Sequence, residues 1–152
     1  MTSTTLTTSR TAHLLELMKK GDDAFNSRDS AAMSAIHHPD MIAYVTGNAE
    51  PIYGQSAHAE TMRAMFGIFP DVHVDNDPYS IQFGGGDWIT VIARITGTFT
   101  GQMTLPDGTV IAPTGKRFDL DFGQTSKWDG DQLVEISAFW DSALQARQIG
   151  LA

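Results

Sequence analysis

The chain has 152 residues, of which 41% are apolar and 18% are charged, a composition typical of one folded domain and unlike that of a disordered segment. Eighteen acidic against ten basic residues give a formal net charge of -8, which disfavours binding to nucleic-acid phosphates and to anionic membrane surfaces. Cysteine is absent, which excludes disulfides, thiolate catalysis and sulfur-based zinc sites and fits a cytoplasmic location.

The N-terminal segment divides into a tail and a first helix. Residues 1–10, MTSTTLTTSR, are rich in hydroxyl side chains, and we expect them to form a flexible tail before a single domain over residues 11–152. From Thr11 onward apolar residues recur at helical steps, which predicts an amphipathic helix with one buried face.

Two further helices and a strand follow in the first half of the chain. A short helix is predicted with Ser30 as its N-cap, and it must end near Pro39, because proline disfavours helical geometry in the residue before it. Residues 41–46 predict a short strand. A third helix is predicted to begin near Ser56 and to end before Pro70.

The second half of the sequence predicts a sheet, because apolar and polar residues alternate with a period of two between turns rich in glycine. A short last helix is predicted over residues 141–149. Helices that cover one face of a strongly curved antiparallel or mixed sheet form an α+β fold around a concave space. The predicted strands cover residues 79–83, 88–100, 117–128 and 132–140.

Alternation also assigns side chains to the two faces of this sheet. The outer face carries Asp119 and Asp121, and Arg94 is expected to pair with one of them. The inner face is almost entirely apolar or aromatic, which suits an apolar or aromatic small molecule. The predicted inward set comprises Ile89, Val91, Ala93, Ile95, Phe118, Leu120, Phe122, Gln124, Val134, Ile136, Ala138 and Trp140.

Short motifs also follow one another in a distinctive order, namely Ala24-Phe25-Asn26, His38-Pro39-Asp40, Phe69-Pro70-Asp71, Ala112-Pro113-Thr114-Gly115-Lys116 and Ala146-Arg147-Gln148-Ile149-Gly150. Over residues 13–151 this pattern resembles the SnoaL-like polyketide cyclases of the nuclear transport factor two-like superfamily. The resemblance implies a cone-shaped α+β barrel that is commonly dimeric. It also implies ring closure by intramolecular aldol condensation, without a metal or an organic cofactor.

The resemblance implies an acid/base aspartate on the last strand, and matching the C-terminal Arg-Gln-Ile-Gly segment places Ala138 at that position. A desolvated carboxyl is expected in such chemistry, because it must take a proton from a carbon next to a carbonyl. Asp141 is the nearest carboxylate, although it also suits the cap of the last helix. The candidate catalytic residues are therefore Asp141, His38 and Gln124, and the candidate ligand-binding residues are Tyr44, His58, Met62, Phe66, Phe122, Ala138 and Trp140.

We therefore expect a cofactor-independent small-molecule enzyme of cyclase, isomerase or hydrolase type that acts by acid/base chemistry on an apolar, cyclic substrate. The alternative is a non-catalytic binding protein for a hydrophobic metabolite, which Ala138 favours. No metal is expected, because neither His37-His38 nor the helix around His58 has the ligand spacing of a zinc site. A homodimer formed through the outer sheet face is the expected assembly.

Overall fold

A computed structural model describes residues 2–152 of the protein, with side chains described from Ser9 onward. Within this range the chain forms four helices and nine strands, which confirms the predicted α+β fold. The helices are α1 (Thr2–Ser27), α2 (Ser30–Ile36), α3 (Gln55–Ile68) and α4 (Ser142–Gln148). The strands are β1 (His37–Val45), β2 (Ile52–Tyr53), β3 (His73–Val74), β4 (Ile81–Gly85), β5 (Trp88–Thr98), β6 (Met103–Thr104), β7 (Val110–Ile111), β8 (Arg117–Asp129) and β9 (Gln132–Trp140).

Helix α1 begins at Thr2, so it extends through most of the segment predicted to be a tail, whose residue 1 lies outside the described residues. The segment before Gly21 contains neither glycine nor proline. Serine and threonine cost a helix less than about 0.7 kcal/mol each relative to alanine, so a helix anchored by packing can propagate back through them. Buried Leu14 and Met18 provide that anchor.

Helix α2 and strand β1 follow each other directly. The N-cap of α2 is Asp29 and not the predicted Ser30, because the Asp29 carboxylate accepts a hydrogen bond from the Ala32 amide at 3.0 Å. Strand β1 begins at His37, earlier than predicted, and its pairing register with β9 shifts between His37 and Ile42. This irregularity accommodates Pro39, which has no amide hydrogen to donate.

The main sheet has the strand order β2-β1-β9-β8-β5-β3, with β4 also paired to β5. Strands β1 and β9 run parallel, whereas the other pairs in this sheet are antiparallel, so the sheet is mixed. Among the described residues the edge strands β2 and β3 do not pair with each other. The sheet is therefore open, and the predicted α+β cone forms without pairing between its two edge strands.

A β-bulge in β9 makes the predicted inward direction of Val134 wrong. Lys127 pairs with Glu135 and Trp128 pairs with Leu133, so Val134 is the additional residue on its strand. Leu133 thereby takes the interior position that was predicted for Val134. Beyond the bulge, alternation resumes and points Ile136, Ala138 and Trp140 inward, as predicted.

The hydrophobic core lies between α1 and the inner face of the sheet, with Leu14, Leu120 and Trp128 among its most deeply buried side chains. On the outer face Arg94 bridges Asp119 at 2.7 Å and Asp121 at 3.1 Å, so the predicted ion pair forms with both aspartates. Over the described part of the chain, none of the helices combines the length and the apolar character needed to cross a bilayer.

Candidate active site

The first three helices and the inner face of the sheet enclose a cavity of about 190 Å³, referred to below as the inner cavity. Its wall is mainly hydrocarbon and aromatic. Its polar side chains include Asp22 from α1, Gln124 from β8, His37 from β1 and His58 from α3. An apolar cavity with a few convergent polar groups is the usual form of a small-molecule site.

Asp22 is the carboxylate of this cavity, and only 5% of its surface is exposed. The Tyr79 hydroxyl donates a hydrogen bond to Asp22 Oδ2 at 2.5 Å, and Gln124 Nε2 donates to the same oxygen at 2.9 Å. Tyr79 comes from the loop between β3 and β4, so a helix, a loop and a strand together position this carboxyl. Both donors bind Oδ2, which leaves Oδ1 available as a further acceptor.

Burial raises the pKa of Asp22 to about 6, although the hydrogen bonds from Tyr79 and Gln124 lower it. The nearby Asp23 contributes a smaller upward shift. Burial, together with the adjacent Asp22 charge, also raises the pKa of Tyr79 far above its ordinary value, so the phenol remains a donor. Asp22 is thus mainly ionised at neutral pH, yet it can accept and return a proton readily.

The helical repeat explains why Asp22 is buried while its neighbour is not. Buried Leu14 and Met18 precede Asp22 by eight and four residues, so the three side chains lie on one face of α1. Asp23 lies one step around the helix and pairs with Lys19 at 3.3 Å. Sequence reasoning missed Asp22, although this i, i+4 spacing from two apolar residues was the available signal.

His37 and His58 form a second polar group in the wall. Their rings meet edge to face, with centroids 5.1 Å apart. Burial lowers the pKa of His37 to about 4, and burial also lowers the pKa of His58. Both imidazoles are therefore neutral at neutral pH, and each presents one N–H donor and one nitrogen acceptor.

The structure brings six of the predicted site residues together around the inner cavity. Trp140 is one of them, and its side chain points inward as predicted. The Trp140 indole N–H donates to Gln145 Oε1 at 2.9 Å, which fixes the ring in the wall. The Phe122 ring packs against it with centroids 5.9 Å apart. The six residues are Gln124, His58, Met62, Phe122, Ala138 and Trp140.

Asp141 and His38 lie elsewhere. Asp141 is exposed and caps α4, where its Oδ1 accepts a hydrogen bond from the Leu144 amide at 2.9 Å. His38 Nδ1 accepts from the Asp40 amide at 3.0 Å, and His38 does not line the inner cavity. Because side chains alternate along a strand, it is His37 that faces the cavity.

Tyr44 and Phe66 also lie outside the inner cavity. Ala43 and Val45 line it, so alternation turns Tyr44 outward, where 42% of its surface is exposed. Phe66 packs behind Phe25, with ring centroids 5.0 Å apart, and lines a second, neighbouring space together with Arg28 and Arg63. The structure therefore places neither of these two predicted ligand-binding residues in the wall of the inner cavity.

Comparisons with known proteins were made at the level of sequence and of fold. The sequence profile of the family described as SnoaL-like polyketide cyclase matches residues 15–149, which is most of the chain. Among curated proteins no match was found.

Solved structures share this fold over nearly their whole length. A protein from Jannaschia sp. CCS1, provisionally assigned as a SnoaL-like polyketide cyclase, superposes with a TM-score of 0.79 and 18% identity, over 93% of this chain and 94% of that one. AclR from Streptomyces galilaeus, provisionally assigned as a hydroxylase, gives 0.76 and 18%, over 93% and 98%. IdmH from Streptomyces antibioticus, provisionally assigned as a polyketide cyclase, gives 0.73 and 19%, over 89% and 96%. At these identities the likeness establishes the shared fold.

Proposed function

This chain belongs to the SnoaL-like polyketide cyclase family, and from this premise we propose that it is a cofactor-independent small-molecule enzyme in which Asp22 transfers a proton. Family membership supports a small-molecule enzyme or binding protein. The observation that carries the enzymatic proposal is the buried Asp22 carboxyl in the wall of an apolar cavity. A carboxylate taken out of water with a pKa of about 6 is matched to acid/base work near neutral pH.

The proposed first step is removal of a proton from a carbon next to a carbonyl group of the substrate. Asp22 accepts the proton, the C–H electron pair forms a carbon–carbon double bond, and the carbonyl π pair moves to oxygen as an enolate. Gln124 and Tyr79 hold Asp22 Oδ2, which fixes the orientation of the carboxyl for this transfer.

The neutral imidazoles would complete the reaction. An N–H of His37 or His58 donates a hydrogen bond to the enolate oxygen and so stabilises the negative charge that develops there. The enolate carbon then attacks a second carbonyl of the same molecule in a cyclase, or takes a proton at another carbon in an isomerase. Protonated Asp22 returns its proton to the alkoxide oxygen formed by ring closure in a cyclase, or supplies the proton at the new carbon in an isomerase, so no cofactor is consumed.

Exchange of α-protons for deuterium tests this function without knowledge of the natural substrate. An apolar cyclic ketone such as indanone is incubated with the protein in D2O, and loss of the α-proton signal is followed by NMR. Asp22→Asn is expected to slow the catalysed exchange at least about 100-fold, because that is the usual contribution of a general base. Asp141→Asn is the matched control, because asparagine also caps a helix well. Equal exchange by wild type and Asp22→Asn would overturn the proposal.

A binding protein for a hydrophobic metabolite is the second candidate, and the mainly apolar wall with Ala138 favours it. Ala138 pairs directly with Gln124 in the sheet register, so Ala138→Asp would add a carboxyl beside that amide. If the wild type binds indanone without exchanging its protons, and Ala138→Asp gains exchange, the natural chain is a binder that lacks a base. If the wild-type protein already exchanges the α-protons of indanone, the result supports the enzyme.

The assembly and the location are proposals as well. Tyr44 and Phe139 are exposed on the outer sheet face, at 42% and 45%, and a homodimer through this face would cover them. Sedimentation equilibrium tests the dimer, with Phe139→Ser expected to weaken it. A cytoplasmic location rests on the absence of cysteine from the sequence.

A further inference from the structure

A second chamber of about 250 Å³, the outer chamber, lies against the inner cavity. The two spaces share four lining residues, namely Met33, His37, His58 and Met62. The histidine pair therefore lies in the wall between the two spaces, referred to below as the partition. The inner cavity on one side is apolar, and the outer chamber on the other side is more polar. A ligand longer than the inner cavity has this chamber as its continuation.

The outer chamber has a charge opposite to that of the protein as a whole. Arg28 and Arg63 line it, and none of the described residues in its wall is acidic, although the chain carries a net charge of -8. The Arg28 guanidinium donates to the carbonyl oxygens of Pro70 at 2.7 Å and Val72 at 2.9 Å, so its charge is fixed in place. Arg63 is exposed and projects from α3.

The sizes of the two spaces limit what each can hold. A cavity of roughly 150 Å³ accommodates benzene, so the inner cavity, at about 190 Å³, accommodates one ring with small substituents. A larger substrate that extends past His37 and His58 reaches the outer chamber. The outer chamber offers Ser30 and Ser34, together with the two arginines, to its polar end.

We propose that the natural ligand is an amphipathic acid, with a single-ring apolar body in the inner cavity and a carboxylate on a short chain that Arg63 binds in the outer chamber. This inference rests on the proposed function for its inner site and extends it to substrate class. A guanidinium matches a carboxylate through two parallel hydrogen bonds. The Asp22 charge repels a carboxylate from the inner cavity, so the two charges together fix the direction in which the ligand enters.

A series of ω-phenylalkanoates tests the proposal against the alcohols of the same chain length. Affinities are measured by isothermal titration calorimetry at about pH 8, where both histidines are neutral. Once the chain spans the partition, the acid is expected to bind about fivefold more tightly than its alcohol, the value of a partly exposed ion pair. Arg63→Gln is expected to remove most of this preference and leave the alcohols within about twofold, whereas Arg63→Lys retains a larger part of it.

Arg147→Gln is the matched control, because it removes the same charge from an exposed arginine of α4 that lines neither chamber. Equal binding of acids and alcohols at every chain length overturns the proposal, as does an equal effect of Arg63→Gln and Arg147→Gln, or no binding by either series. The binding readout separates this inference from the proposed function. An acid preference that depends on Arg63 supports it even if the wild type exchanges no protons, and Asp22→Asn is expected to retain that preference.

Discussion

Asp22→Asn is expected to abolish proton transfer and at the same time to stabilise the folded protein above about pH 6. The folded protein holds the Asp22 proton up to about pH 6, whereas the unfolded chain releases it near the ordinary value of 3.8. Between these values the folded state binds more protons than the unfolded state, so the free energy of unfolding falls as pH rises. The contribution of protonated Asp22 is complete below pH 3.8 and is lost as pH passes about 6.

The difference between about 6 and 3.8 corresponds to roughly 3 kcal/mol at 1.36 kcal/mol per pKa unit. Asparagine keeps an oxygen for Tyr79 and Gln124 but carries no charge, so it avoids this cost. Its amide N–H groups need partners of their own, which returns part of the gain. A net stabilisation of about 1 to 3 kcal/mol is therefore expected above pH 7.

Urea unfolding of wild type and Asp22→Asn between about pH 4 and pH 8 measures this difference. The advantage of the variant is expected to grow through the window from 3.8 to about 6 and then to level off. Asp141→Asn, at an exposed helix cap, is expected to differ from wild type by less than about 0.5 kcal/mol throughout. A variant that is less stable than wild type at pH 8, or an advantage that does not change with pH, would refute the reasoning.

Three further predictions concern the Tyr79 donor to Asp22, the wall of the inner cavity, and a close backbone contact outside the site. Tyr79→Phe removes a donor from the cavity carboxyl and is expected to raise its pKa by about one to two, seen as an upward shift of the pH–rate midpoint. Ala138→Leu fills part of the inner cavity and is expected to weaken binding of aromatic ligands about tenfold in calorimetry, with unchanged affinity counting against that cavity as the site. Gly101→Ala sets a Cβ against the backbone carbonyl of Gly67 and is expected to cost about 2 kcal/mol or more in urea unfolding. Gly85→Ala, whose Cβ meets no atom within 4 Å, should cost far less, and equal costs would contradict the steric account.

The inward face of β8 could be predicted because its alternation is uninterrupted. Phe118, Leu120, Phe122 and Gln124 all line the inner cavity, as the period of two requires. The same rule failed for Val134, because a bulge is a pairing event between two strands and leaves no mark in the local pattern. Alternation in the sequence therefore predicts which face of the sheet a side chain lies on only in stretches of strand without a bulge.

The Asp22 carboxyl of the inner cavity was harder to predict from the sequence. Asp22 follows Lys19-Lys20-Gly21 and precedes Asp23, a charged run typical of a solvated helix face. Only the tertiary structure shows that Gln124 and Tyr79, which lie 102 and 57 residues further along the chain, donate to the same carboxylate oxygen. A site assembled from three distant segments is set by packing, which local periodicity does not encode.

The pH dependence of α-proton exchange in indanone tests the central claim most directly. If Asp22 is the base, the wild-type rate should rise with pH through a single ionisation with its midpoint near about 6 and reach a plateau above it. Asp22→Asn should show neither the rise nor the plateau. A wild-type rate that is independent of pH between about 5 and 8, or a variant with the same profile, would contradict the account.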